Sequence, residues 1–281
     1  KAPIGHALGG KMYIQYENPF DVGMNGLLGY GAAHEATHEA DLLILLGTDF
    51  PYNDFLPDAN VAQVDINGSH IGRRTKISYP VTGDVAATIE NILPHVDEKK
   101  DRSFLDKMLK KHYGKLEHVV EAYTSNVDKH TPIHPEYVAD LIDKNADEDA
   151  IFTVDTGMCN VWGARYITAN GKREQIGSFR HGTMANALPQ ALGAQAANPG
   201  RQVITFSGDG GLSMLMGELL TVKLHNLPIK MFVFNNSSLG MVKLEMLVQG
   251  LPEHETDHDS VNFAKIAEAS GIKHFRIEDP K

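Results

Sequence analysis

Short apolar runs alternate along this chain with longer stretches of helical periodicity, and this alternation limits the folds that the chain can adopt. Each run ends at a glycine or a small polar residue, as is typical of strands buried on both faces of a parallel sheet. The runs lie at 42–46, 61–66, 151–154, 203–206 and 229–234. The pattern predicts an α/β fold, with two doubly wound parallel-sheet domains that carry helices on both faces.

The runs fall into two blocks that are separated by a stretch of different composition. From 94 to 131 the sequence is amphipathic, rich in lysine, glutamate and histidine, and contains one glycine, Gly114, which is typical of helix and connector. We therefore predict a partial first domain at 1–95, a helical connector at 96–132 and a second domain at 133–281. A chain of 281 residues with 42% hydrophobic side chains has enough material for two packed domains.

The two ends of the sequence have the character of cuts within a longer protein. Residues 1–4 contain neither an initiator methionine nor the start of a signal peptide, and the chain stops at 277–281, just after an apolar segment. We therefore expect the second domain to be truncated at its carboxyl end.

The charge balance and the cysteine content restrict the partners and the location of the protein. The 26 basic and 36 acidic residues give a net charge of −10 without a lysine- or arginine-rich block, which disfavours a nucleic-acid partner. The single cysteine, Cys159, cannot form an internal disulfide, and the most apolar stretch, 42–47, is too short to span a bilayer. These features predict a cytoplasmic protein.

Polar side chains follow two apolar runs of the second block, at the point where each run ends. Asp209 lies in the glycine-rich turn after the run 203–206, and Asn236 follows the run 229–234. A right-handed crossover places two such parallel strands together, so the carboxylate and the amide should meet at one edge of the sheet. Oxygen ligands suit Mg²⁺, and the nearby glycines let backbone N–H groups approach a diphosphate. The sequence therefore predicts a site for a metal-bridged diphosphate.

The motif Gly-Asp-Gly, followed at this distance by Asn-Asn, resembles the signature of the thiamine-diphosphate enzymes. The resemblance implies that Asp209 and Asn236 ligate Mg²⁺ through their side chains, and Ser238 through its backbone carbonyl. A second segment, 177–186, is also similar to this family. There the resemblance implies that Met184 is an apolar wedge beneath the cofactor and that the Gly182 carbonyl holds its amino group.

The thiamine-diphosphate contacts that the resemblance implies lie at strand ends and in the turns that follow them. Gly157, after the run 151–154, is expected near the diphosphate, and Met241 and Val242 are expected to border the substrate. The complete set is Gly157, Gly182, Thr183, Met184, Asp209, Gly210, Gly211, Asn236, Ser237, Ser238, Leu239, Gly240, Met241 and Val242.

The first block is similar to the flavin-binding segments of the pyruvate oxidases, especially the quinone-reducing type. The segments that carry this resemblance are 23–29, 47–52 and 65–67. The resemblance implies that the ribityl and ring portions of FAD lie along 23–29 and 47–52. It also implies that Asp65 accepts hydrogen bonds at the adenosine end of FAD. The implied FAD contacts are Met24, Asn25, Gly26, Leu27, Gly47, Thr48, Asp49, Phe50, Pro51 and Asp65.

Together the resemblances imply a pyruvate:quinone oxidoreductase that needs thiamine diphosphate, Mg²⁺ and FAD. Such an enzyme would decarboxylate pyruvate oxidatively to acetate and CO₂ and pass electrons through FAD to a membrane quinone. The resemblance also implies a homotetramer at the inner face of the cell membrane, held there as a peripheral protein.

Two alternatives stay open at this point. A carboligase of the acetolactate-synthase type would retain FAD without net redox chemistry, although the match of the first block to pyruvate oxidases weighs against it. The second alternative is an inactive cofactor-binding fragment. The family places its essential glutamate on a separate amino-terminal domain, and this domain has no counterpart in this chain. We therefore assign no catalytic residue within these 281 residues.

Two histidine pairs match metal-binding patterns only in part. His34 and His38 flank Glu35 with the H-E-x-x-H spacing of zinc proteases, but no third ligand is evident. We interpret this pair as surface histidines of a helix. His254 and His258 lie among acidic residues, and we interpret their segment as a solvated loop.

Two other local features have simple structural explanations. The glycine-rich stretch 26–31 does not fit G-x-G-x-x-G, so it predicts no nicotinamide site. Cys159 and Trp162 follow the run 151–154 closely, and we interpret both side chains as part of the packing of the second domain.

Overall fold

The computed structural model describes residues 1–125, 127 and 130–281. The backbone divides into two compact units, Lys1–Val119 and Val120–Lys281. Within the described part of the chain, no helix is both long and apolar enough to cross a membrane. The predicted α/β class, with parallel sheets flanked by helices, is confirmed.

The first unit contains two small sheets. Its strands are β1 Ile4–His6, β2 Asp21–Met24, β3 Tyr30–Gly31, β4 Leu42–Leu46, β5 Asn60–Asp65 and β6 Tyr79–Thr82. Its helices are α1 Lys11–Ile14, α2 Ala33–Glu39, α3 Val85–Ile92 and α4 Ser103–Leu116, the last followed by a π-helical turn at Glu117–Glu121. Strands β4, β5 and β6 are parallel, whereas β3 runs antiparallel to β2 because the turn after Met24 reverses the chain.

Helix α4 packs within the first unit. Its side chains Leu105 and Met108, three positions apart on one face of the helix, are fully buried. Met108 joins a core cluster with Val22 of β2 and with Ala33 and Ala36 of α2, and burial of such a side chain stabilises a fold by about 2 kcal/mol. The stretch 96–132, predicted as a helical connector, contains a helix that belongs to this core.

Strand β4 differs from its sequence-based expectation. We expected 42–46 to be buried on both faces, but the side chains of one face are 40%, 55% and 44% exposed at Leu42, Ile44 and Leu46. The expectation was wrong for this face because β4 is the edge strand of its sheet, in the order β4-β5-β6. In the central strand β5, by contrast, Val61 and Val64 are buried.

The second unit is built on one sheet of four parallel strands in the order β10-β9-β7-β8. The strands are β7 Ile151–Val154, β8 Glu174–Gly177, β9 Val203–Gly208 and β10 Lys230–Phe234. The described helices are α5 Ala122–Thr124, α6 Pro135–Asn145, α7 Met158–Tyr166, α8 Ala187–Ala197, α9 Asp209–Leu215, α10 Leu219–Leu224, α11 Gly240–Val248 and α12 Phe263–Ala269. The strands that we predicted at 151–154, 203–206 and 229–234 are confirmed.

The two central strands, β7 and β9, form the core of the second unit. Phe152 and Phe206 are fully buried and meet edge to face, with ring centroids 6.2 Å apart. Ala191 of α8 packs against Ile151 and Val203, and its small side chain lets the helix lie close to the sheet. This rigid pair of strands fixes the position of the residues that follow their carboxyl ends.

Candidate functional site

The candidate site lies at the carboxyl edge of the four-stranded sheet in the second unit. Strand β10 pairs with β9 so that Phe234 lies beside Gly208, and β7 pairs with β9 so that Val154 lies beside Phe206. The residues that follow these strands therefore emerge side by side. In parallel α/β sheets this edge is where ligands bind.

Asp209 directly follows β9 and begins α9, so the glycine-rich turn predicted from the sequence is the first turn of this helix. Through Asp209 this turn after β9 is connected to the loop after β10. Its carboxylate is 3% exposed; Oδ1 accepts the N–H of Gly210 at 2.9 Å, and Oδ2 accepts the N–H of Ser237 at 2.6 Å. Ser237 has a φ of 54°, a left-handed conformation that costs about 1 kcal/mol for a residue with a Cβ. The short bond to a carboxylate offsets this cost. The structure thus brings Asp209 and the loop 235–239 together, as the topology predicted.

The oxygen atoms at this edge are of the kind that a hard divalent cation binds. The Asn236 side-chain oxygen accepts the Ser238 N–H at 3.2 Å, so it lies within the same loop as the Ser238 carbonyl. Carboxylate, amide and carbonyl oxygens are the donors that Mg²⁺ prefers. Among the residues that the structure describes, no group of three or more His, Cys, Asp or Glu side chains could hold a metal ion. A cation here would therefore also need amide, carbonyl or ligand oxygens.

A neighbouring segment, 251–261, holds the loop 235–239 from outside. The N–H of Leu239 donates to the Thr256 carbonyl at 2.8 Å, and the N–H of His258 donates to the Ser237 carbonyl at 3.0 Å. The Lys243 ammonium contacts Glu253 at 2.7 Å and Asp257 at 3.2 Å. Because both carboxylates belong to the segment and Lys243 belongs to α11, this network fixes the segment to the helix that follows the loop.

His258 is a site residue that the sequence analysis missed. The predicted solvated loop is confirmed, since residues 251–255 and 257–260 are exposed, but Nε2 of His258 lies 3.6 Å from Oδ2 of Asp209. No spacing in the sequence signals this contact, because it depends on the main-chain bond between His258 and Ser237. His254, in the same segment, is exposed as expected.

The segment around Met184 approaches the same edge. A methyl group placed on Gly210 would lie 3.3 Å from Cε of Met184 and 3.0 Å from Cδ2 of Leu239. Both side chains therefore lie against the backbone of the turn after β9. Upstream, Thr183 donates its N–H to Oγ of Ser178 at 3.2 Å. Three segments that the sequence predicted separately are thus adjacent.

Glycine is required at several of the predicted contact positions. Gly157 and Gly182 have φ values of 140° and 61°, which side chains rarely permit. At Gly240 a methyl group would lie 2.9 Å from Nδ2 of Asn236 and 3.0 Å from Cγ of Met158. Gly240 begins α11, so Met241 and Val242 lie in its first turn, where Val242 is 46% exposed.

Gly211 is predicted to be intolerant of a side chain. In Gly211→Ala the new methyl group would overlap Oδ2 of the buried Asp155 and lie 2.9 Å from its Cγ. We expect the free energy of unfolding to fall by about 1–3 kcal/mol, the usual range for overpacking. The measurement is urea unfolding followed by the fluorescence of Trp162, the one tryptophan of the chain.

Gly193→Ala is the matched control for this substitution. Gly193 lies within α8, and a methyl group there meets nothing within 4 Å. Alanine should therefore stabilise the helix by about 0.5–1 kcal/mol. Equal effects of the two substitutions would show that the space around Gly211 is not restrictive.

A part of the implied FAD set lies close together in the first unit. Nδ2 of Asn25 donates to the Phe55 carbonyl at 3.1 Å, and Gly26 has a φ of 104°. A methyl group on Gly26 would lie 3.1 Å from the ring of Tyr52 and 3.2 Å from that of Phe50. The turn after β2, with Met24 and Leu27, is thus lined by aromatic rings from the segment after β4. That segment also contains Gly47, Thr48, Asp49 and Pro51.

The two acidic residues among these contacts already have protein partners. Asp49 accepts hydrogen bonds from Arg73 at 2.8 Å and from Arg74 at 3.0 Å; although burial opposes it, these bonds hold the pKa of Asp49 below its usual value. Asp65, at the end of β5, is buried and accepts the Asn67 N–H at 2.8 Å. Oδ2 of Asp65 also lies 3.4 Å from Nδ1 of His70.

The residues that we set aside in the sequence have structural surroundings of their own. His34 and His38 lie on α2 with ring centroids 4.1 Å apart, and the intervening Glu35 forms an ion pair with Lys115. Cys159 is buried and donates to the Asp155 carbonyl at 3.3 Å. Burial raises the pKa of the Cys159 thiol to about 12, so it is not a reactive thiolate.

Comparison with known families agrees with this geometry. Residues 155–281 match the C-terminal TPP-binding domain of thiamine pyrophosphate enzymes, and residues 1–92 match the central domain of the same enzymes. The chain therefore belongs to the thiamine pyrophosphate enzyme family. The matched C-terminal TPP-binding domain includes the residues at the edge of the sheet described above.

Individual relatives are similar over nearly the whole chain. YdaP of Bacillus subtilis, whose name describes a thiamine pyrophosphate-containing protein, is 34% identical over 98% of this chain and 48% of its own length. The acetolactate synthase large subunit of Lactococcus lactis is 31% identical over 99% of this chain and 49% of its own length. An acetolactate synthase of Mycobacterium bovis is 32% identical over 92% of this chain and 44% of its own length. The chain thus spans about half the length of these curated relatives.

Proposed function

We propose that the protein binds thiamine diphosphate through Mg²⁺ and acts on pyruvate as a carboligase of the acetolactate-synthase type. The observation that carries the proposal is the Asp209–Ser237 bond, which joins the turn after β9 to the loop with Asn236 and Ser238. This arrangement presents oxygen donors beside glycines at a sheet edge, as a metal-bridged diphosphate requires. Relatives named as acetolactate synthases support the choice of reaction.

In this proposal the protein residues hold and orient the cofactor. Asp209, Asn236 and the Ser238 carbonyl would bind the cation. Met184, which lies against Gly210, would support the rings from below, and the Gly182 carbonyl would accept a hydrogen bond from the amino group. When bound, thiamine diphosphate supplies a nucleophilic carbon that stabilises the charge left by decarboxylation.

The substrate would lie beyond the metal loop. Val242, half-exposed in the first turn of α11, and the adjacent Met241 offer apolar side chains at the start of this helix. Apolar contacts of this kind suit the methyl group of pyruvate, while they add no charge that would compete with its carboxylate. Joining the two-carbon unit to a second pyruvate would give acetolactate.

A second candidate is the oxidation of pyruvate to acetate and CO₂, with electrons passed through FAD to a membrane quinone. It needs a flavin, which the aromatic-lined turn of the first unit suits, where Phe50 and Tyr52 lie beside Gly26; a carboligase of the acetolactate-synthase type would retain this flavin too, so the resemblance to pyruvate oxidases is what favours this candidate. Flat rings beside a residue without a side chain suit a flavin, and the segments 23–29 and 47–52 resemble those of pyruvate oxidases. This candidate includes a homotetramer, peripheral at the inner face of the cell membrane and otherwise cytoplasmic.

Product analysis separates these candidates. The protein is incubated with pyruvate, thiamine diphosphate, Mg²⁺ and FAD, with and without an artificial electron acceptor, and acetolactate and acetate are quantified. Acetolactate formed without acceptor supports the carboligase. Acetate formed with stoichiometric reduction of the acceptor supports the oxidase and overturns the carboligase.

Cofactor binding is measured in parallel by titration calorimetry. Binding of thiamine diphosphate that needs Mg²⁺, without either product, would assign the chain to the third possibility, a cofactor-binding fragment. If thiamine diphosphate does not bind even with Mg²⁺ in excess, the proposal as a whole is wrong.

A further inference from the structure

A buried carboxylate outside the proposed ligand set joins the segments of the site. Asp155 directly follows β7 and is 1% exposed. Its Oδ1 accepts three hydrogen bonds: from the N–H of Asn186 at 2.7 Å, from Nδ2 of Asn186 at 3.1 Å and from the N–H of Ala187 at 3.2 Å. A carboxylate so deeply buried, with so many donors on one oxygen, has a defined orientation.

These bonds make Asp155 the cap of helix α8. The residue at the cap position, Asn186, makes no capping bond with its own side chain, although such bonds normally satisfy the first N–H groups of a helix. Asp155 supplies the missing acceptor from a different strand, and its carboxylate faces the positive end of the helix dipole. The start of α8 is thereby fixed relative to β7.

The cap also fixes the segment that precedes α8. Asn186 donates from Nδ2 to the Thr183 carbonyl at 2.7 Å, and Ala185 has a left-handed φ of 62°. Met184 lies between Thr183 and Ala185, within the turn that this hydrogen bond closes. The turn therefore depends on Asn186, which is in turn held by Asp155.

The second carboxylate oxygen of Asp155 faces the turn after β9. Gly211 approaches so closely that a methyl group on it would overlap Oδ2 of Asp155. The preceding residue, Gly210, is the one that Met184 and Leu239 contact. One carboxylate thus lies between the start of α8 and the turn that carries Asp209.

We infer that Asp155 is a positioning residue, which sets the spacing between the Met184 segment and the metal-binding turn at Asp209. This inference rests on the proposed thiamine-diphosphate function. The hydrogen bonds of the Asp155 carboxylate go to Asn186 and Ala187, which are neither proposed cation ligands nor part of α11. Its effect on cofactor binding would be exerted through Asn186 on one side and Gly211 on the other.

Asp155→Asn tests this role in the full chain. The substitution keeps the shape of the side chain but removes the charge and places an NH₂ group among N–H donors. We expect amide hydrogen exchange in the peptide 182–188, followed by mass spectrometry without cofactor, to become about 10-fold faster or more. The affinity for thiamine diphosphate with Mg²⁺ should fall about 10- to 100-fold, as for residues that orient metal ligands.

Asp143→Asn is the matched control. Asp143 is another carboxylate of the second unit; its side chain is 14% exposed, and it accepts from Arg173 at 2.7 Å and from the Thr168 N–H at 2.8 Å. Arg173 precedes β8, so this ion pair lies at the opposite edge of the sheet. Asp143→Asn should lower the free energy of unfolding but leave exchange in 182–188 and cofactor affinity unchanged.

The outcomes separate this inference from the proposed function. Unchanged exchange in 182–188 for Asp155→Asn, or an equal increase in Asp143→Asn, would refute the positioning role. Faster exchange with unaltered cofactor affinity would refute it as well. If the unaltered chain binds no thiamine diphosphate, the proposed function fails, and exchange alone then decides whether Asp155 holds the Met184 segment.

Discussion

Asp209→Asn is expected to lower the affinity for thiamine diphosphate in the presence of Mg²⁺ by about 100-fold or more. The substitution removes the negative charge that a divalent cation requires at this position. It also disturbs the loop, because Oδ2 accepts the Ser237 N–H and Oδ1 accepts the Gly210 N–H. Whichever way the new amide is turned, its NH₂ group faces a backbone donor.

Titration calorimetry at a fixed excess of Mg²⁺ measures this effect. Urea unfolding, followed by Trp162 fluorescence, shows whether the second unit is still folded. Asp149→Asn is the control, since it makes the same change of charge at a side chain that is 56% exposed and 3.9 Å from Arg201. Binding by Asp209→Asn as tight as that of the control would exclude Asp209 as the metal ligand.

The parallel sheet of the second unit could be predicted from the sequence for a simple physical reason. Strands buried on both faces are nearly continuously apolar, and the runs at 151–154 and 203–206 have this property, with one threonine each at 153 and 205. The crossover rule then places β10 beside β9. The meeting of Asp209 with the loop after β10 follows from this adjacency alone, so it needed no knowledge of side-chain packing.

Asp155 and His258 could not be found in the same way. The cap that Asp155 forms on α8 spans 31 positions and depends on how the helix start approaches β7. The approach of His258 to Asp209 depends on one main-chain bond to Ser237. Hydrophobic periodicity carries no information about either contact, because both are set by loop conformation.

The first unit shows where sequence patterns mislead. The run 42–46 has the composition of a buried strand, yet its position at the edge of β4-β5-β6 leaves Ile44 more than half exposed. Conversely, the polar stretch 96–132 contains α4, whose Leu105 and Met108 are fully buried. Composition predicts the type of element, whereas burial depends on which neighbours the sheet order provides.

A cluster of buried titratable groups in the first unit leads to a prediction about pH. His6 of β1 and Asp21 of β2 are nearly inaccessible, with Nε2 of His6 3.7 Å from Oδ1 of Asp21. Lys11 and His112, both buried, also face this pair. Burial lowers the pKa of His6 to about 4 and raises the pKa of Asp21 to about 6.

The two pKa shifts have opposite effects on stability. Between pH 6.5 and 4 the unfolded chain binds a proton at His6 that the folded chain does not, so the free energy of unfolding falls as pH falls. Between pH 6 and 3.8 the folded chain binds a proton at Asp21 that the unfolded chain does not, so the free energy of unfolding rises as pH falls. In the unaltered protein these slopes largely cancel.

Single substitutions should therefore reveal opposite pH dependences. As the pH falls from 6 to 4, Asp21→Asn should lose about 3 kcal/mol of unfolding free energy relative to the unaltered protein, because the opposing titration of Asp21 is absent. As the pH falls from 6.5 to 4, His6→Gln should gain about 3 kcal/mol relative to the unaltered protein, because the titration of His6 is absent. Burial also lowers the pKa of His112, but this contribution is common to all variants.

Urea unfolding followed by far-UV circular dichroism, at intervals from pH 4 to 7, measures these slopes. The double variant His6→Gln/Asp21→Asn is the control: without either group, its pH dependence should again resemble that of the unaltered protein. If Asp21→Asn gained and His6→Gln lost unfolding free energy as the pH fell, or if both changed in the same direction, His6 and Asp21 would not form a neutral pair in the folded state. Between about pH 6 and 4 both groups are neutral in the folded state, so β1 and β2 bury the pair without charge, and the opposite titrations of His6 and Asp21 offset each other.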